Sequence, residues 1–129
     1  MIAVDTNIVI RFLTQDDQQQ FEKARAIFKA QEVFIADSVI LETEWVLRYA
    51  YKFSPELICN ALTNLFGLFN VYLLNPGKTA QAIAWHKQGL DFSDAMHLSQ
   101  CQQYEKLYTF NKSFLLKSKG LTNCHVIFP

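Results

Sequence analysis

In the stretch GLDFSDAMHLSQC, Asp91 and Asp94 stand three residues apart where helical spacing begins, and after Glu56 only Glu105 joins them as a carboxylate. Such a pair has two uses. Asp91 is a sound N-cap, and Asp94 at the third helical position can reach back in capping-box fashion, both favoured by the positive end of the helix dipole. Alternatively, the carboxylates bind a hard divalent cation through oxygen. Two further acids interrupt apolar sequence, Asp5 after MIAV and Glu42 within SVILETEWVL. Asp5 is expected at the carboxyl end of a buried strand, where an unpaired carboxylate is so costly that it either goes neutral or takes a cation. Positions 39, 42, 45, 46 and 49 share one helical face, which turns Glu42 with Val39 and Trp45 toward the sheet and leaves Glu44 as the exposed acid.

Carboxylates converging at one sheet edge repel each other, and Mg²⁺ or Mn²⁺ bound through oxygen relieves that repulsion, whereas zinc prefers His and Cys. A metal held so can orient and acidify a water for in-line attack on phosphorus. The chemistry implied is phosphodiester hydrolysis. His97 lies one turn after Asp94, but with no second His or Cys at ligand spacing it does not make a zinc site. His86 and His125 read as structural.

The elements that must position these acids alternate along the chain. Met1 to Val4, VFIA (33–36), VYLL (71–74), KLYTF (106–110) and CHVIF (124–128) read as short buried strands. Helical segments lie between them. Thr6 or Asn7 is placed to cap the first, Asp16 and Asp17 open the second, Ser38 caps the third, and Ser54-Pro55-Glu56 starts the fourth. A turn at Asn75-Pro76-Gly77 precedes a helix from Thr79 to Lys87, another helix runs from Asp91 to Gln103, and a short one follows Ser113. This alternation predicts an α/β fold, a three-layer sandwich with a central parallel sheet of about five strands flanked by helices. Ligands gather at the carboxyl ends of such strands.

At 129 residues the chain suits one domain, with half its residues apolar and only seven Gly and Pro together. The opening MIAVDTNIVIRFL has no basic leader before its apolar run and is broken by Asp5, which argues against a signal peptide or membrane span and for a cytoplasmic protein. Cys59, Cys101 and Cys124 are odd in number without CxxC spacing, and are expected to behave as small hydrophobes. Net charge is zero, so no global basic field recruits nucleic acid, yet residues 57–129 hold six Lys against three acids. Lys106, Lys112, Lys117 and Lys119 cluster without an acid among them, either as a phosphate-binding patch or as a solvated surface.

In the order and spacing of IAVDTNIVIRFL, SVILETEWVL, LDFSDAMHL and TFNKSF, essentially the whole chain resembles the PIN-domain ribonucleases, and among them VapC-type toxins of type II toxin–antitoxin systems. The resemblance implies a metal-dependent endoribonuclease with Asp5, Glu42 and Asp94 as metal-binding acids. It makes Asp91 an accessory carboxylate and Thr6 a polar helper, and it implies RNA as substrate, a homodimer and a small antitoxin partner. Many members carry a fourth Asp where this chain has Asn111, so a second metal is expected to bind more weakly. Two other functions stay open. A strand ending in VDT is also found in haloacid-dehalogenase phosphatases, but these need a second Asp where Asn7 stands. A PIN fold that binds RNA or a partner without turnover is the alternative that Asn111 raises. The apolar stripes of 38–51 and 54–66 exceed what one sheet face needs and are candidates for a dimer surface.

Overall fold

The computed structural model describes all 129 residues, which form two compact units, Met1–Pro76 and Gly77–Pro129. Unit 1 runs β1 (Ile2–Ala3), α1 (Thr6–Thr14), α2 (Gln18–Ala30), β2 (Val33–Ile35), α3 (Asp37–Tyr49), α4 (Pro55–Phe66) and β3 (Val71–Leu73). Its strands pair in parallel in the order β1-β2-β3, with Ile2 opposite Val33 and Val33 opposite Val71. Unit 2 comprises α5 (Pro76–Lys87), which starts at the boundary, α6 (Phe92–Gln100), β4 (Lys106–Tyr108), α7 (Lys112–Lys117) and β5 (His125–Ile127). Here β4 and β5 pair in parallel, Lys106 opposite His125. The five strands and intervening helices expected from the alternation are all present, three strands pairing in parallel in one unit and two in the other.

Apolar spacing and caps explain why unit 1 folds as it does. In α2, Asp17 accepts the Gln20 N–H as N-cap, and Ala24 and Phe28, one helical turn apart, are buried. Phe12 of α1 stacks on Phe28 with ring centroids 4.3 Å apart, which locks the α1–α2 corner. Buried Asn70 donates through Nδ2 to the carbonyls of Phe28 and Gln31, two of the acceptors a helix leaves unpaired at its end. Ser54 caps α4 ahead of Pro55, and Ile58, Leu62 and Leu65 form its buried stripe, each such side chain contributing roughly 1.5–3 kcal/mol.

Several local expectations are corrected. The strand β1 is not buried: Ile2 is half-buried and Ala3 exposed, because β1 is an edge strand with β2 as its one partner in the sheet. Asp5 rather than Thr6 or Asn7 caps α1, and α3 starts at Asp37 with no side-chain cap from Ser38. The helix expected from Thr79 begins at Pro76, which suits the first position because proline lacks the N–H left unpaired there. On α3 the two faces are exchanged: Ile40, Thr43, Glu44 and Leu47 are buried, while Trp45 and Tyr49 are 56% and 49% exposed. Glu44 is accommodated inside by Arg48 one turn on, whose Nε lies 3.0 Å from the carboxylate. An acid that brings its own counter-ion at i+4 tolerates burial that an isolated one would not.

Candidate metal-binding and catalytic site

In unit 1 the site begins where β1 gives way to α1. Val4 still donates to the Phe34 carbonyl, Asp5 then takes an extended conformation (φ −94°, ψ −179°), and its Oδ1 accepts the Ile8 N–H at 3.3 Å. Thr6, buried at the first helical position, donates its hydroxyl to Oε1 of Glu42 on α3. This one bond brings the Glu42 carboxylate to the residue beside Asp5, at the positive end of the α1 dipole. Thr6 and Glu42 are therefore brought together, with Asp5 the chain neighbour of Thr6.

Both acids are exposed, which revises the setting expected for them. Asp5 follows an edge strand and stays in water. Glu42 shares the outer face of α3 with Trp45, and the Thr6 hydroxyl rather than the sheet holds it. Asp5 opens onto a cleft of about 840 Å³ along β1, α1 and α2, whose wall also carries Asn7, Arg11 and Gln20.

Arg11 on that wall belongs to a network the sequence does not announce. It donates through Nη1 to Asp16 at 2.9 and 3.1 Å and through Nε to Gln20 at 2.6 Å. Tyr51, from the loop after α3, donates its hydroxyl to Asp16 at 2.6 Å, and Thr14 donates to the same carboxylate at 2.8 Å. The Tyr51 and Thr14 hydroxyls, with Arg11 beside them, hold the Asp16 carboxyl down to about 2. Asp16 thus ties α1 to the end of α3, where sequence spacing shows only a helix start.

In unit 2 the α5–α6 turn sets the other acids. Gly89 adopts a positive φ of 111°, the His86 Nδ1–H donates to the Leu90 carbonyl at 2.7 Å, and the His86 ring meets Phe92 edge-on. His86 is structural, as expected. Asp91 then caps α6, accepting from the Asp94 N–H at 3.3 Å and the Ser93 hydroxyl at 2.7 Å. Asp94 is half-buried, and burial followed by the neighbouring Asp91 charge raises its carboxyl above the ordinary 3.8, with His97 offsetting part of this. Asp5, expected in an apolar setting, is exposed, and the partly buried carboxylate is Asp94. Asn111 caps α7, its Oδ1 accepting from the Ser113 and Phe114 N–H groups at 3.0 and 3.2 Å. Lys112 and Lys117 bound that helix and are exposed.

Within neither unit do three His, Cys, Asp or Glu side chains gather into a metal cluster. The donors fit a hard cation in kind. Each unit by itself carries oxygen donors: unit 1 the Asp5 and Glu42 carboxylates with the Thr6 hydroxyl, unit 2 the Asp91 and Asp94 carboxylates, of which Asp94 is raised by burial first and by the Asp91 charge second. Cys59 and Cys124 are buried and Cys101 is half-buried. No helix is long and apolar enough to cross a membrane.

Among solved structures, three chains match, including the crystal structure of Mycobacterium tuberculosis VapC20, a sarcin-ricin loop cleaving toxin. That match has 18% identity over 97% of this chain and 99% of that one, with a TM-score of 0.44. No curated protein matches. A model of the PIN domain matches residues 2–118, which takes in the acids at 5, 42, 91 and 94 and Asn111. The chain belongs to the PIN domain family.

Proposed function

We propose that the chain is a Mg²⁺- or Mn²⁺-dependent endoribonuclease, and the toxin of a type II toxin–antitoxin pair. The observation that carries this reading is the Thr6–Glu42 hydrogen bond, which holds the Glu42 carboxylate at the residue next to Asp5, at the N-terminus of α1. Asp5 and Glu42 would hold the ion, and the family pattern assigns Asp94 to the same role. When bound, the ion supplies a water of lowered pKa and charge stabilisation at the scissile phosphate. Thr6 orients the Glu42 carboxylate. Asp91 caps α6 just ahead of Asp94, and the family resemblance assigns a supporting role to Asn111, which caps α7. A single PIN-like domain over residues 1–129 is supported by a family match that runs through both units.

The toxin role, with a small antitoxin as partner and a cytoplasmic setting, is supported by the four matching segments of sequence. A homodimer is supported by the exposed Trp45, Tyr49 and Leu57 on α3 and α4. The test is RNA cleavage by the purified chain with Mn²⁺, Mg²⁺ or EDTA, beside Asp5→Asn and Glu42→Gln. Cleavage that needs the metal and is lost in both variants is the expected result, and variants that cut at the wild-type rate would overturn it. One observation favours a second reading, a PIN fold that binds RNA or a protein without turnover. The Asn111 amide oxygen is engaged by two backbone N–H groups where many relatives have an acid.

A further inference from the structure

Along β4 and the two residues after it, burial alternates. Lys106, Tyr108 and Phe110 are exposed, and Leu107 and Thr109 are half-buried. Alternate residues of a strand share one face, so the outer face of β4 carries the Lys106 cation and the Tyr108 ring about 6.6 Å apart, and Phe110 adds a second exposed ring at the bend that follows the strand. The rings are bare: Tyr108 is 61% and Phe110 88% exposed. Across the register, Lys106 lies opposite His125, which is also exposed and lines, with Lys119, a concavity of about 290 Å³. From Tyr104 to Pro129 there are four Lys and one acid, Glu105.

The core of a protein–protein interface is depleted of charge. Exposed rings interleaved with cations instead complement a flexible polyanion whose bases offer π-faces. We infer that the outer face of the β4–β5 sheet is a platform for single-stranded RNA, with bases stacking on Tyr108 and Phe110 and phosphates meeting Lys106 and Lys112. This rests on the ribonuclease reading and names how its substrate is held. Ring stacking is tolerant of sequence, so the platform supplies affinity and leaves any choice of cleavage position to other groups.

The experiment is fluorescence anisotropy of the full chain with a short, fluorescein-labelled single-stranded oligoribonucleotide in EDTA, which separates binding from cleavage. Tyr108→Leu and Phe110→Leu keep apolar bulk and remove the ring, and each is expected to weaken binding about 5- to 150-fold, while Tyr108→Phe binds as the parent does. Lys106→Gln and Lys112→Gln should each flatten the logarithmic salt dependence by roughly 0.7. Leucine variants that bind RNA unchanged would overturn the inference. So would leucine variants whose main effect is a change in oligomeric mass by light scattering, since the face would then be covered by a second copy. If the chain cleaves RNA yet these variants bind normally, the platform alone falls. If RNA binds through these rings and no divalent ion elicits cleavage, the nuclease reading falls and the platform stands.

Discussion

The Thr6 hydroxyl donates to the Glu42 carboxylate across 36 positions of sequence, and this bond joins the N-terminus of α1 to α3. Thr6 is buried while Glu42 is exposed, so the hydroxyl depends on the carboxylate more than the reverse. Its removal would leave Glu42 solvated but free to turn away from Asp5.

Thr6→Val, which keeps the shape and deletes the hydroxyl, is therefore expected to cost only roughly 0.5–1.5 kcal/mol of stability. Its larger effect should be weaker Mn²⁺ binding. Thr6→Ser should restore both. Calorimetric Mn²⁺ titration of the three proteins checks this, and equal affinities would show that Thr6 does not orient Glu42.

Asp94→Asn is expected to abolish cleavage and to raise the melting temperature of the metal-free chain at neutral pH. The fold raises the Asp94 carboxyl above its ordinary 3.8, through burial first and the Asp91 charge second. The folded state thus favours the protonated form, and that advantage is lost as pH rises through the folded value. At neutral pH the ionised group opposes folding, and the amide removes this. Melting curves in EDTA should converge below pH 3.8, where the carboxyl is protonated in both states. A variant less stable than the parent at neutral pH would contradict the electrostatic account.

The acids were legible as a set because each breaks an apolar or acid-poor stretch, and the capping role of Asp91 follows from its place before Phe92. Their settings were not legible. Helical periodicity assigns Glu42 and Glu44 to different faces of α3 but does not say which face is inward. The Arg48 partner at i+4 is the one signal that favours burying Glu44. The exposure of Asp5 is not legible, because an apolar run of four residues looks alike in a central and an edge strand, and pairing order is a property of the whole sheet. The Arg11–Asp16–Tyr51 network joins residues up to 40 positions apart, beyond the reach of local pattern.

That network carries an acid-side prediction. Tyr51, Thr14 and Arg11 hold Asp16 down to about 2 from 3.8, so its contribution to stability is complete above 3.8 and is lost as pH falls toward 2. Tyr51→Phe removes the first of these causes. The melting temperature difference between parent and Tyr51→Phe should stay constant above pH 3.8 and shrink below it. A difference independent of pH would assign Tyr51 a packing role only.

Asn111→Asp tests whether the start of α7 belongs to the site. From sequence alone, a fourth carboxylate should destabilise the metal-free chain by repulsion. The structure changes that expectation. Asn111 is exposed and caps α7 through Oδ1, a task Asp performs equally well, and an ionised cap gains from the helix dipole. Metal-free stability should hold or rise slightly. If Asn111 faces the metal, the carboxylate oxygen not used by the cap should tighten Mn²⁺ binding and enlarge the Mn²⁺-induced rise in melting temperature, because a ligand bound only to the folded state stabilises it with the logarithm of its excess over Kd. Cleavage should increase in parallel. An unchanged Mn²⁺ shift with unchanged cleavage would make Asn111 a helix cap and nothing more. Cleavage that appears only in the aspartate variant would show that the natural chain binds without turnover, leaving its place in the PIN family untouched.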